Sequence, residues 1–438
     1  MKIQSWGRIS APEHQALTLN NRTQVSQKIA QTTIKEKGLA FGMGRSYGDS
    51  CLNPDGQLWQ TRGLDLFIDF DETNGVLTCE SGVLLRDIHA LTIACGWMLP
   101  ATPGTQLITV GGAIANDIHG KNHHQFGSFG HHVLGFELAR TTGEVLSCSP
   151  THNSDWFCAT MGGLGLTGII TQARLQLRRV NSPWLHTKTQ SFQTLDEFFT
   201  RTHQAIPNWE HTVAWIDCLS KHTRGILMCA NPVSFPNALA AQAPNYQPKS
   251  ARTFPITPPF SLVNRYSLRP FNSAYFHLHQ FKTGESLTHY EPFFYPLDSI
   301  AHWNRMYGKR GFYQYQCVIP KHNQQDAVAE LLNTIRNSGE GSFLAVLKTF
   351  GARESLGMLS FPCEGATLAL DFANKGTQTS SLFASLDTIV AEAGGRIYPA
   401  KDARMPRWLF EKSYPNLPDF LKFRDPGIAS GLSKRLID

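Results

Sequence analysis

The nine cysteines, spread from Cys51 to Cys363, form no CxxC pair in a chain of 438 residues. Neither a four-cysteine zinc site nor a disulfide framework is indicated, since both need regularly spaced thiols, and reduced, buried cysteines are expected. Charge is also scarce: only 17% of residues are Asp, Glu, Lys or Arg, and the 40 basic residues are scattered among the 34 acidic ones. That pattern excludes a basic arm for nucleic acid, while the net charge of +6 permits a mild attraction for anionic substrates or lipid surfaces. No apolar run approaches the length of a membrane-spanning helix, and the opening MKIQSWGRISAPEHQ lacks a signal-peptide core. A soluble, cytoplasmic protein is therefore expected. Internal repeats and low-complexity segments are missing as well.

What is present is glycine (36), proline (24) and 11% aromatic residues, the composition of a turn-rich mixed α+β protein whose length implies two domains. From Lys37 to Val180 short strand-like runs alternate with glycine clusters, interrupted by one helix expected over Leu84 to Cys95. Leu84, Ile88, Leu91 and Cys95 form its expected core stripe and Gly96 its stop. After Val180 glycine thins and aromatics thicken. Pro244 to Pro270, with six prolines, Lys249, Arg252, Arg265 and Arg269, predicts a long mobile loop. FYQYQCVIP, FLAVLKTFG and ATLALDFA then predict a second, antiparallel sheet, the last alternating Thr367, Ala369 and Asp371 against Leu368, Leu370 and Phe372 as a half-buried strand.

Two well-known motifs fail on their surroundings. Gly44-Arg45-Ser46-Tyr47-Gly48 spells G-x-S-x-G, yet DSCLNPDG follows it where a nucleophile elbow needs a helix. Gly163-x-Gly165-x-x-Gly168 spells a dinucleotide fingerprint, but a helix-like stretch precedes it and a strand follows, the reverse of a Rossmann unit. Clusters at Gly42/Gly44/Gly48, Gly104, Gly111/Gly112, Gly120 and Gly163/Gly165/Gly168 remain, each at a strand end. Together they point to a pyrophosphate-bearing ligand, because glycine admits close approach and bares its amide. The five histidines of DIHGKNHHQFGSFGHH (His119, His123, His124, His131, His132) fit no zinc spacing, and a cofactor-facing loop is expected in place of a metal site.

GxGRSYGD, PGTxxxTVGGAIAxDIHGKNHH, GSFGxHV and GLTGII resemble the vanillyl-alcohol-oxidase type flavoproteins, which hold FAD between two α+β subdomains. WNRxYGxxGFxQYQxVIP, LSFPxxG, LDF and AKDxR narrow the resemblance to the decaprenylphosphoryl-β-D-ribose 2′-oxidase family, nearly end to end. The resemblance implies that Gly42, Met43, Gly44, Arg45, Ser46, Tyr47, Gly48, Asp49, Ser50 and Cys51 wrap the FAD pyrophosphate. It places Gly104, Thr109, Val110, Gly111, Gly112, Asn116, Asp117, Ile118 and His119 along the flavin, with Ile170 and Tyr398 completing the site. It further implies an FAD domain over 1–181, a substrate domain over 182–395, and a return to the FAD domain over 396–438. Tyr47 stands where many relatives have the histidine that tethers FAD, so non-covalent FAD is expected. Ala369 stands where actinobacterial members carry cysteine.

Oxidising a carbinol carbon requires a hydride acceptor and a group that handles the hydroxyl proton. Lys401 is the first candidate for the second task, as a base of lowered pKa or as a stabiliser of developing charge. The resemblance adds Tyr47 and His119 near the flavin face and Gln314, Gln316 and Lys348 in the substrate pocket; Trp215 is either a pocket wall or core. The implied reaction oxidises the 2′-hydroxyl of a polyprenylphosphoryl-β-D-ribose, half of an epimerisation to arabinose completed by a separate NAD(P)H-dependent keto-reductase. A lipid-linked substrate would bring peripheral contact with the inner membrane. A soluble alditol, aldonolactone or hydroxy acid is the alternative substrate.

Overall fold

The computed structural model describes residues 1–33, 36–233, 246 and 251–438. Near the N-terminus β1 (Gln15–Thr18), β2 (Gly38–Phe41) and β3 (Gln57–Gln60) form a parallel sheet in the order β1-β3-β2. An antiparallel sheet follows, ordered β4-β5-β8-β6-β7, from β4 (Phe67–Asp71), β5 (Val76–Glu80), β6 (Val133–Ala139), β7 (Val145–Cys148) and β8 (Ile169–Gln176). Helices α1 (Leu85–Thr92), α2 (Val110–Ala115) and α3 (Ser154–Thr160) share a core with that sheet through Leu85, Ile88, Ile114 and Phe157.

The helix expected over Leu84 to Cys95 is shorter and turned. Leu84 is the extended N-cap, so the buried face reads Leu85, Ile88, His89 and Thr92, while Leu91 is 38% exposed and Cys95 half-buried. Ile88 is common to both stripes; the rest shifts because Leu84 lies outside the helical turn. Gly96 does take a left-handed conformation, φ +82°. Both rejected motifs have the surroundings that the sequence indicated: Gly48 leads into a three-residue 3-10 turn, and Gly163–Gly168 lies between α3 and β8.

The second sheet has eight antiparallel strands: β9 (Trp184–Phe192), β10 (His211–Ile216), β11 (Gly225–Pro232), β12 (Gly284–His289), β13 (Phe312–Pro320), β14 (Ala345–Phe350), β15 (Gly365–Ala373) and β16 (Arg396–Ile397). Their order is β12-β9-β11-β10-β14-β15-β13-β16. One face packs on α4 (Leu195–Ala205), α6 (Gln324–Ser338) and α7 (Thr377–Glu392), burying Phe198, Leu331, Leu386, Leu368 and Leu370 together; α5 (Arg265–Gln280) lies on the opposite face, where Phe276 meets Trp215 and Ile226. The alternation in β15 is as expected, but Thr367, Ala369 and Asp371 face an internal cavity rather than bulk solvent.

The expected loop over Pro244 to Pro270 is corrected in part. Residues 265–270 open α5, capped by Asn264, whose side chain accepts from the amides of Tyr266 and Ser267. Pro270 is tolerated in the second turn because the carbonyl it deprives of an N–H belongs to Tyr266, a 77% exposed residue. Arg252–Thr253 pairs with Ile300–Ala301; 244, 245 and 247–250 lie outside the described residues.

The C-terminal segment closes on the first sheet. Ala429 donates to Gly38 O, Gly431 to Leu52 O, and the Arg435 guanidinium bridges Asp49 and Asp402. Gly48 is the tight point of this closure, since a Cβ there would stand 1.8 Å from Asp402 O. Gly48→Ala is therefore expected to destabilise by about 2–4 kcal/mol, through overpacking against backbone that cannot yield. Gly104→Ala, where a Cβ meets nothing within 4 Å, leaves the denaturation midpoint unchanged. Equal midpoints for Gly48→Ala and the parent chain would contradict this reading.

Candidate active site

A cavity of about 700 Å³ lies between the glycine loops and the free face of the eight-stranded sheet. Its sheet wall is made by alternate residues: Gln314 and Gln316 on β13, Thr367, Ala369 and Asp371 on β15, Val346 and Lys348 on β14, Trp215 on β10, Met228 on β11, Thr187 on β9 and Thr288 on β12. One face across seven strands spans roughly 30 Å at strand spacing.

The opposite wall is the glycine-rich region. Gly42, Met43, Gly44, Arg45, Ser46, Tyr47, Ser50, Cys51, Gly104, Thr109, Gly111, Gly112, Asn116, Ile118, His119, Ile170 and Tyr398 all line the cavity. Ser46 O and Tyr47 O accept from the amides of Trp6 and Gly7, and Tyr47 N donates to Ala400 O, so both ends of the chain suspend this loop. No backbone carbonyl among the described residues accepts from the amides of 42 to 46. Arg45 Nε, Ser50 Oγ, Ser81 Oγ and His119 Nδ1 are also buried without partners. Orphaned donors at this density around glycines suit a pyrophosphate and a heteroaromatic ring rich in acceptors.

Four residues expected at the cofactor stand behind this wall. Val110 is fully buried in the core of the five-stranded sheet. Asp117 turns away and accepts from Gly130 N at 2.9 Å and Ser360 Oγ at 2.6 Å, bracing the loop. Asp49 is held by Arg435, and Gly48 packs on Asp402. The histidine cluster divides similarly: His119 faces the cavity, while His124, His131 and His132 bond to the carbonyls of Trp209, Glu354 and Phe126. His123 packs on Phe350. Among the described residues no three His, Cys, Asp or Glu side chains converge as metal ligands.

All five residues expected at the substrate line the cavity, and Trp215 is also fixed, its Nε1 donating to Phe343 O at 2.8 Å. His119 sits between Phe350, Phe361 and Tyr398, with Gln316 Nε2 at 3.2 Å from its Nε2. Burial and the nearby Lys348 hold its pKa well below the usual value, so this imidazole is neutral. Burial raises the Tyr47 phenol well above its ordinary range, leaving it a donor. The Lys401 ammonium lies 4.0 Å from the Tyr47 ring centroid.

Sequence reasoning passed over Asp371 and Lys121. Asp371 shares the cavity face of β15 with Thr367 and Ala369, so its alternation with Leu370 and Phe372 was the available signal. Its Oδ1 accepts from Gln314 Nε2 at 2.7 Å, and its Oδ2 has no partner. Burial raises the Asp371 pKa and lowers that of Lys401, while their mutual attraction opposes both shifts. Lys121 lies inside the DIHGKNHH motif and donates to Phe293 O at 2.7 Å and Phe294 O at 3.0 Å. Because the Asp371 charge raises the Lys401 pKa, Asp371→Asn should lower it by about one unit or more, read from the pH titration of the lysine Nζ resonance. An unshifted titration would show that the two groups do not interact.

Residues 21–149 match the family model of an FAD binding domain. The decaprenylphosphoryl-β-D-ribose oxidase of Mycolicibacterium smegmatis is 32% identical over 99% of this chain and 97% of its own length. An uncharacterised protein of Streptomyces coelicolor is 31% identical over 81% of this chain and 100% of its own. Human Δ(24)-sterol reductase shares 29% identity over 25% of this chain and 21% of its own. The near-complete match, together with the FAD binding domain over 21–149, shows that this protein belongs to the decaprenylphosphoryl-β-D-ribose oxidase family of FAD-dependent oxidoreductases.

Proposed function

We propose that this enzyme oxidises the 2′-hydroxyl of a polyprenylphosphoryl-β-D-ribose to the 2′-keto sugar. The observation that carries the reading is the cavity itself, which joins the glycine-rich wall to Asp371 and Lys401 and then runs on toward apolar residues. In this reading residues 1–181 and 396–438 hold FAD and 182–395 hold the substrate. Bound FAD supplies the hydride acceptor. Gln314 orients Asp371, whose unpartnered Oδ2 takes the hydroxyl proton, and the Lys401 ammonium stabilises negative charge developing beside it. Tyr47, protonated, and His119, neutral, shape the pocket and exclude water. The product leaves as a ketone, which a separate NAD(P)H-dependent reductase would convert to the arabinose epimer.

Membrane contact belongs to the same proposal. Ile256, Phe260, Tyr266, Leu278 and Phe281 are strongly exposed, Phe281 at 87%, and Arg265, Arg269 and Lys282 lie among them. No helix among the described residues is long and apolar enough to cross a membrane, so a surface of this kind would rest on anionic headgroups. Tyr275 and His279 of the same helix line the cavity, which connects that surface to the site.

Anaerobic addition of a short-chain prenylphosphoryl-β-D-ribofuranose is expected to bleach the flavin band. Lys401→Ala should slow bleaching at least about 100-fold while FAD stays bound. A persistent band in the parent enzyme overturns the substrate, and near-normal bleaching in the variant removes Lys401 from the mechanism. Acid precipitation should release the flavin into the supernatant, because Tyr47 cannot form the histidyl tether; flavin retained in the pellet would contradict non-covalent binding.

A further inference from the structure

Two cavity lysines have no task in the proton transfer. Lys348 projects from β14 and donates to Gly120 O at 2.9 Å, and Lys121, beside Gly120 in sequence, donates to Phe293 O and Phe294 O. Both are half-buried, and both open on the cavity. We propose that Lys121 and Lys348 form an anion subsite that grips the phosphate of the lipid-linked substrate; this rests on the function proposed above and assigns the part of the cavity that reads the phosphate.

The carbonyl anchors fix both ammonium groups without neutralising them. An ammonium has three donors, so Lys121 keeps one free and Lys348 two. No carboxylate offsets either charge: burial alone pushes Lys121 down to about 7, and burial together with Lys121 and Lys401 pushes Lys348 to about 7. The neighbouring imidazoles, His119 and His123 beside Lys348 and His211 beside Lys121, are themselves held below their usual values. Glu210, the nearby carboxylate, is occupied by Arg178 and His211. Two enclosed ammonium groups without a carboxylate partner are a cost to the protein that a bound oxyanion, here the singly charged phosphodiester of the substrate, offsets.

Position identifies the oxyanion. Lys348 pairs in register with Thr367, and Gln316 with Ala369 on the same strand, so the lysine stands one strand from β15 and two from β13. Lys348 is level with Thr367, four residues along β15 from Asp371, so at about 3.3 Å per residue and about 4.8 Å per strand its Cα lies about 14 Å from that of Asp371, a gap that an extended lysine and the carboxylate side chain can narrow to the span of a furanose ring and its anomeric phosphate. On the other side lie Trp215 on β10 and Met228 on β11, an apolar bed for the first prenyl unit. The amides of 42 to 46, which no backbone carbonyl among the described residues accepts from, would form a separate cradle for the FAD phosphates.

The test is the dissociation constant of the FAD holoenzyme for geranyl phosphate, geraniol and inorganic phosphate, followed by flavin absorbance and calorimetry. The parent enzyme should bind geranyl phosphate at least about tenfold more tightly than geraniol and inorganic phosphate only weakly. Lys121→Gln and Lys348→Gln should each lose about tenfold or more for geranyl phosphate, with geraniol within about twofold. Equal affinity of the parent enzyme for phosphate and alcohol overturns the subsite even if neither variant folds, as does unchanged geranyl phosphate binding in both variants. Inorganic phosphate binding as tightly as geranyl phosphate would overturn the lipid assignment. Because geranyl phosphate has no sugar, failure of ribose oxidation shows separately, as geranyl phosphate that binds while the ribosyl lipid leaves the flavin oxidised.

Discussion

An antiparallel sheet normally turns one face to core and the other to water, but here the second face is roofed by the glycine loops and α5 and becomes the wall of a cavity. That single arrangement decides what each cavity-facing strand position can be. Every second residue on β13, β15, β14 and β10 packs toward α4, α6 and α7 as ordinary core, while the intervening residues carry the amides, hydroxyls, carboxylate, ammonium and indole of the site. Because the period is two, a register slip of one residue in β15 would exchange Asp371 for Leu370 and empty the site. The nine register pairs joining β13 to β15 therefore hold the chemistry as well as the sheet.

Enclosure also sets the electrostatics. The same roof that excludes water lowers the affinity of Lys121, Lys348 and Lys401 for protons and raises that of Asp371. Groups whose ordinary pKa values lie far apart are thereby drawn together, the condition for proton exchange near neutrality. The N-terminal residues 6 and 7, the Gly42–Cys51 loop and residues 400–402 meet at one place, so both ends of the chain are needed to close this space.

Much of this was legible in the sequence. The failure of both decoy motifs and the alternation of β15 follow from local rules of backbone freedom and period, and the structure has both; the glycine clusters line the cavity as expected, but Gly111 and Gly112 lie inside α2 and Gly104 in a loop rather than at strand ends. The errors fall where tertiary context decides. Val110 and Asp117 sit within a motif that touches the cofactor cradle, yet the turn of α2 and a left-handed Asp117 (φ 38°) direct them inward. Asp49 and Gly48 serve the C-terminal closure, which no local pattern announces. Leu91 looked like core because Leu84 looked helical. Lys121 and Asp371 were missed because a lysine among histidines and an aspartate in a strand acquire meaning only once the cavity places them side by side with Lys348 and Lys401.

The account stands on a substrate lying across the strands with its sugar at β15 and its tail toward β10 and β11. The measurement that tests this most directly is a crystal structure of the FAD holoenzyme with geranylphosphoryl-β-D-ribofuranose and an inactive Lys401→Ala site. It should show the ribose carbon about 3–3.5 Å from flavin N5, with its hydroxyl toward Asp371, the phosphate between Lys121 and Lys348, and the geranyl chain against Trp215. A ligand with its sugar toward Trp215, or bound outside the sheet face altogether, would contradict the account.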